Sequence, residues 1–428
     1  MKYFITILLF SLIYLIGCNT TEPTPPNNGT LSISLTDVSC TEAWVNLKAI
    51  GVTFPVNVNI LADGSTVTQL NNLHSSDTTV YIDSLLPNKT YNIQAIIQST
   101  YQYQTTSNNK VIVQTLDTTS NNFSFSTYSF GNPSAGGSRI NDVAIIDENN
   151  IWVVGEIYMN DSTGQPDPEP YNLAIWNGTI WQLKKVTYNG HSTAIHSIFA
   201  IDIKNIWLDP WFHWNGKNFQ EIPIDPILNG VSIKKIWGNS DIIYVAGANG
   251  FIAYSRSSGQ WNKIESGTTT NILDIWGVNN VSDNSITIYC AVSNLLSQGD
   301  HKLLTINNDN TVTEKSWLSD LTAASVWFKN NNKMYVCGDF VVVNNIGDQW
   351  IQDSTLPSAV SLRIRGTDYN NVFVVGSYGL AAHFNGVNWN LLRPLNYGPE
   401  IYYSCDFKSG IMCAVGENNA QGWITIFR

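Results

Sequence analysis

Short apolar runs recur through the second two-thirds of the chain, each cut off from the next by Asn, Gly, Asp or Ser. Residues 361–392 show the pattern most cleanly. Runs at 361–366, 372–376, 379–384 and 389–392 are separated by Asp368-Tyr369-Asn370-Asn371, by Ser377-Tyr378 and by Asn385-Gly386-Val387-Asn388. Short runs bounded by turn residues read as four strands joined by tight turns. None of them has the 3.6-residue apolar period of a helix.

The same unit occurs six more times. Its second run carries an aromatic or a substitute at Trp152, Trp207, Tyr244, Tyr289, Tyr335, Phe373 and Met412, so after a long first step the spacings are 37, 45, 46, 38 and 39 residues. Four strands at that period predict an all-β fold with a seven-bladed β-propeller over residues 121–428. The last unit has three runs only, and an unpaired outer edge invites association. The alternating stretch from Phe123 to Phe130 is predicted to supply the missing strand and clasp the ring.

Within each unit, Asn-Gly after the third run predicts a tight hairpin with two positive φ angles. A Trp opening the fourth run is expected to cover the rim. The Gly that ends the second run is expected to admit a neighbouring backbone. The second runs are continuously apolar, as strands buried on both faces should be.

Residues 30–118 follow a different rule. Runs at 31–35, 43–47, 56–60, 80–82, 91–97 and 110–114 alternate apolar and polar, which predicts a small sandwich. Trp44 is expected to fill its core. The segment Leu85-Leu86-Pro87-Asn88-Lys89-Thr90-Tyr91 resembles the fibronectin type III signature. That resemblance implies a Tyr91 hydroxyl closing back onto the upstream backbone, and a spacer role for the module.

The N-terminus reads as a targeting segment. Lys2 precedes an apolar stretch at 4–16, too short to span a bilayer. It ends in Leu15-Ile16-Gly17-Cys18, which resembles a bacterial lipobox. The resemblance implies cleavage before Cys18, acylation of its thiol, and a membrane partner held through that lipid. Residues 1–18 are then the signal, 19–29 a polar tether, and the address is the cell envelope, at the outer membrane or cell surface.

Composition narrows the function classes. Net charge is −11 with only 22 Lys and Arg, which argues against nucleic acid as a partner. Besides Cys18 there are Cys40, Cys290, Cys337, Cys405 and Cys413, without CxxC or Cys/His spacing. Cys290, Cys337 and Cys413 fall at apolar strand positions and read as small buried hydrophobes. The insertion at 160–171 carries Asp161, Asp167 and Glu169, but it lacks the alternating ligand spacing of a calcium loop. No metal or cofactor is called for.

Aligning the innermost strands gives two columns beside the ring axis. One is Asp142, Ser197, Lys235, Asp274, Ser325, Arg363 and Ser404; the other is Ala144, Phe199, Trp237, Trp276, Trp327, Arg365 and Asp406. Two readings follow. Asp142, Lys235, Asp274, Arg363 and Arg365, flanked by Trp237, Trp276 and Trp327, can form a polar ring for a small polar or saccharide ligand. Alternatively the charges pair with one another and the tryptophans pack between blades.

Gly-x-x-Trp or Gly-x-x-Phe recurs at Gly178, Gly216, Gly347 and Gly386, similar to the tail of the Asp-box of sialidase-type propellers, yet no copy has both the Ser and the Asp of that motif. A sialidase-like glycoside hydrolase, with Asp142 and Asp274 as paired carboxylates, is therefore the alternative reading. The chain as a whole resembles bacterial lipoproteins that join a fibronectin type III module to a Trp-rich propeller. That implies a surface scaffold binding a glycan or a protein, with no catalytic residue.

Overall fold

The computed structural model describes residues 29–98, 105–107, 109–256, 259–280, 285–295, 300–318, 320–345 and 349–428. Cys18, the segment before it and most of the tether lie outside the described residues.

The N-terminal module is two antiparallel sheets. Thr30–Val38, Ala43–Ile50 and Asp77–Ile82 make one. Val56–Ala62 and Thr90–Gln98 lie at the centre of the other. Alternate side chains such as Ile33, Val45, Leu47, Ile60 and Ile93 meet between them as a closed core. Tyr91 does what its place in the Leu-Pro-Tyr segment implied: its hydroxyl accepts the Leu86 N–H at 2.9 Å.

Trp44 does not fill that core. Ala43, Val45 and Leu47 point inward, so strand alternation turns Trp44 to the opposite face. There it is fully buried against the second module, with ring centroids 5.7 Å from Tyr81 and 5.4 Å from Tyr369. A buried ion pair lies beside it, Lys333 Nζ to Glu42 at 2.6 Å. These contacts bolt the module to its neighbour. Cys40 reaches Asp117 O at 3.1 Å and packs where a side chain at Gly386 would stand.

Among the described residues, those between 125 and 427 form seven four-stranded antiparallel sheets. The first strand of each packs beside the first strand of the next, and that of the last beside that of the first. The sheets therefore surround one axis, as in a β-propeller. Six sheets are consecutive meanders. The seventh takes its outer strand from Phe125–Phe130, which runs antiparallel to Gln421–Phe427. Asn-Gly hairpins differ from expectation. Only the Gly of each is at positive φ, at Gly178, Gly216 and Gly386, while the Asn side chain accepts two backbone N–H groups, as Asn385 Oδ1 does from Val387 and Asn388. Asn caps a four-residue loop instead of sharing a two-residue one.

The glycine ending the second strand has a definite task. Gly155, Gly247, Gly338, Gly376 and Gly416 each oppose a β-bulge in the first strand, where a Cβ would strike that strand's backbone. The bulge falls one residue before Asp142, Lys235, Ser325, Arg363 and Ser404, and before Asp274 as well. Bulges re-aim the side chains that follow them. Here they turn one polar residue per strand onto the axis.

Candidate functional site

The first column forms a buried belt across the axis, and its members are partnered with one another. Asp142 takes the Lys235 ammonium at 2.5 Å, the Ser404 and Ser197 hydroxyls at 2.6 and 3.0 Å, and the Ile198 N–H at 2.9 Å. Asp274 takes Arg363 at 2.5 Å and Arg365 at 2.8 and 2.9 Å, with the Ser325 hydroxyl and the Val326 N–H. Each carboxylate thus gathers groups from several sheets. Ser197 and Ser325 extend the stitch, accepting the N–H of Ile236 and Ile364 from the following sheet.

The charges are kept ionised by this geometry. Burial by itself would raise the Asp274 carboxyl, but Arg363, Arg365 and their hydrogen bonds outweigh it and hold it below the usual carboxylate range. Burial and the opposing pull of Lys235 and Arg363 act in the same way on Asp142, with the same downward result. Asp406 runs the other way. Burial raises its carboxyl, and the N–H groups of Ile145 and Phe407 recover part of the shift. Both of its oxygens are tied to backbone, joining the seventh sheet to the first.

The tryptophans of the second column pack between sheets. Trp237 lies over Gly277 and Trp327 over Gly366, each on the next sheet, where an added Cβ would sit 2.6 and 2.8 Å from the ring. Trp276 meets Phe328 instead of a glycine. Its indole donates to Phe328 O at 3.0 Å, and its ring stays half-exposed with the Arg365 guanidinium 4.7 Å from its centroid. Gly277→Ala should therefore lower stability by about 1–3 kcal/mol through overpacking against Trp237. A urea midpoint equal to wild type would contradict that contact.

The belt divides the axis into two shallow ends. The end where the inner strands finish is a cavity of about 210 Å³ lined by Lys235, Trp276, Arg365 and Asp406. The end where they begin is a cavity of about 240 Å³ that includes Arg139, Asn141, His196, Lys234, Arg363 and Tyr403. Of the predicted residues, Lys235, Trp276 and Arg365 reach the first cavity, Arg363 alone reaches the second, and Asp142, Asp274, Trp237 and Trp327 line neither. Arg139, Lys234, His196 and Tyr403 were missed by sequence reasoning. Lys234 was findable, since it neighbours Lys235 and strand alternation sends it elsewhere.

Among the insertion's carboxylates, Asp167 pairs with Lys185 at 2.7 Å and Glu169 meets His191 at 3.0 Å. Cys40, Cys290, Cys337, Cys405 and Cys413 are free and buried, and burial pushes every one of these thiols up, away from reactivity.

No family model matches the chain, and no curated protein does. Among solved structures it is similar to the computationally designed Ika8 protein, with 12% identity and a TM-score of 0.44, over 68% of this chain and 96% of that one. It is also similar to the Pan2 WD40 domain of Neurospora crassa, with 9% identity and a TM-score of 0.47, over 72% and 97%.

Proposed function

We propose that the protein is a lipid-anchored lipoprotein of the bacterial envelope that displays a rigid binding platform at the cell surface. On this reading the platform is a seven-bladed propeller closed by its N-terminal strand, carried on a fibronectin type III-like module, and its ligand is a glycan or a protein. The observation that supports binding over catalysis is the ionic belt. Asp142 and Asp274 are each held ionised by buried cations, whereas a glycosidase acid needs a raised carboxyl facing substrate. The latch at Trp44 and Glu42–Lys333 supports rigid display, because it packs the two modules directly against each other.

The anchor is tested by radiolabelled palmitate. Wild type is expected to take up label and Cys18→Ala to take up none; label in the variant would exclude lipidation at that thiol. The platform is tested with residues 29–428 on a glycan array beside a panel of fluorogenic glycosides. Binding without turnover is the expected result, and glycoside turnover by the purified protein would overturn the reading in favour of a sialidase-like enzyme.

A further inference from the structure

We infer that the cavity where the inner strands begin is a binding site for a compact carboxylate, engaged by Lys234 and Arg363. This rests on the platform reading and names its ligand chemistry.

Three observations carry it. First, the cavity lining holds Arg139, Lys234 and Arg363 and no carboxylate, in a chain whose net charge is −11. Arg139 is answered by Glu156 at 2.8 Å and Arg363 by Asp274 beneath it, while no ion pair joins Lys234 to an acid among the described residues. One uncompensated cation at the mouth suits one negative charge. Second, Arg363 is more than nine-tenths buried, yet its Nε makes no hydrogen bond. Nη1 lies 2.5 Å from Asp274, so the charge is paired on that side while Nε is left over. Buried donors without acceptors are uncommon, and they mark a place where an acceptor belongs. The planar guanidinium matches a planar carboxylate better than a rounder anion.

Third, Leu273, Leu295 and Leu362 line the same cavity, so a carbon skeleton has an apolar surface to rest on. The volume of about 240 Å³ is below the roughly 300–1,000 Å³ of drug-sized pockets. The ligand is therefore small, or is the acidic end of something larger: a sugar acid or a chain-terminal carboxylate.

The test uses residues 29–428 and D-glucuronate, with D-glucose as its neutral counterpart and inorganic phosphate as a competing anion, read by calorimetry. Glucuronate is expected to bind, more weakly as salt rises, and glucose to show no heat. Lys234→Ala is expected to weaken glucuronate at least tenfold with an unchanged melting temperature, since Lys234 lies outside the buried belt. Lys263→Ala, which removes a lysine already paired with Glu265 at 2.8 Å and outside the cavity, should bind as wild type. A short peptide with a free C-terminus, run against its amide, separates a chain-terminal source from a sugar acid. Equal binding of glucose and glucuronate, or wild-type affinity in Lys234→Ala, would remove the site. Phosphate displacing glucuronate at equal concentration would overturn the carboxylate assignment. Neutral glycans captured on the array by wild type and Lys234→Ala alike, without a glucuronate response, would leave the platform standing and the site refuted.

Discussion

Asp274→Asn is expected to remove about 3–5 kcal/mol of folding stability, the cost of leaving buried cations without their anion. Arg363 and Arg365 both depend on this carboxylate, and both are buried. Asn has the same shape and can still accept one hydrogen bond, so the loss isolates charge from packing. The measurement is the urea midpoint, with far-UV circular dichroism to show that the variant still folds. Asp167→Asn is the control. Its pair with Lys185 is about a quarter exposed on each side, and such pairs contribute about 0–1 kcal/mol. A loss of less than 1 kcal/mol in Asp274→Asn would mean the belt is solvated rather than buried.

The same residue sets a pH dependence. Asp274 titrates near 3.8 when unfolded and lower when folded, and Asp142 shifts in the same direction. Their stabilisation is complete above the unfolded value and is lost as pH falls through the folded one, since only the unfolded chain takes up protons readily in between. Asp406 has the opposite sign. Its folded value is raised, so its contribution is present below the unfolded value and lost as pH rises through the folded one. Two groups against one make the wild type less stable as pH falls below about 4. In Asp274→Asn that acid slope should flatten.

Replacing residues 121–131 with a Gly/Ser linker of equal length should abolish cooperative unfolding of the propeller. The strand Phe125–Phe130 pairs along six residues with Gln421–Phe427, and Ser124 and Arg428 exchange backbone hydrogen bonds at 2.8 and 2.9 Å. Tyr128 and Phe130 also lie against Trp181 of the first sheet, so one segment closes the last sheet and ties it to the first. Without it, Gln421–Phe427 becomes an open edge, and association that rises with protein concentration is expected. A single melting transition at the wild-type temperature would refute the clasp.

Much of this architecture was readable in residues 361–392 and their sister units. Strand alternation, Asn-Gly loops and the glycine ending each second strand act over a few neighbouring residues, so composition and spacing expose them. The hairpin geometry is not legible in the same way, because Asn serves as a cap, a role that resembles a positive-φ residue in sequence. Trp44 was misplaced for another reason. Its alternation with Ala43, Val45 and Leu47 already assigned it to the outer face, but nothing local says that the outer face of that strand is covered.

The candidate site divides along the same line. Which residues turn toward the axis follows from the chain alone, because each sits at one register position in a recurring strand. Whether they face a ligand or one another does not. Asp142 and Lys235 are brought together from the first and third sheets, and Asp274 meets Arg363 and Arg365 from the fourth and sixth. Such pairings depend on the curvature of the ring and on the bulges that aim each side chain. Distances across an axis leave no trace in spacing along the chain. The polar column was therefore visible beforehand, while its closure into a charge-paired belt, with Lys234 left over at the mouth, follows from the folded ring.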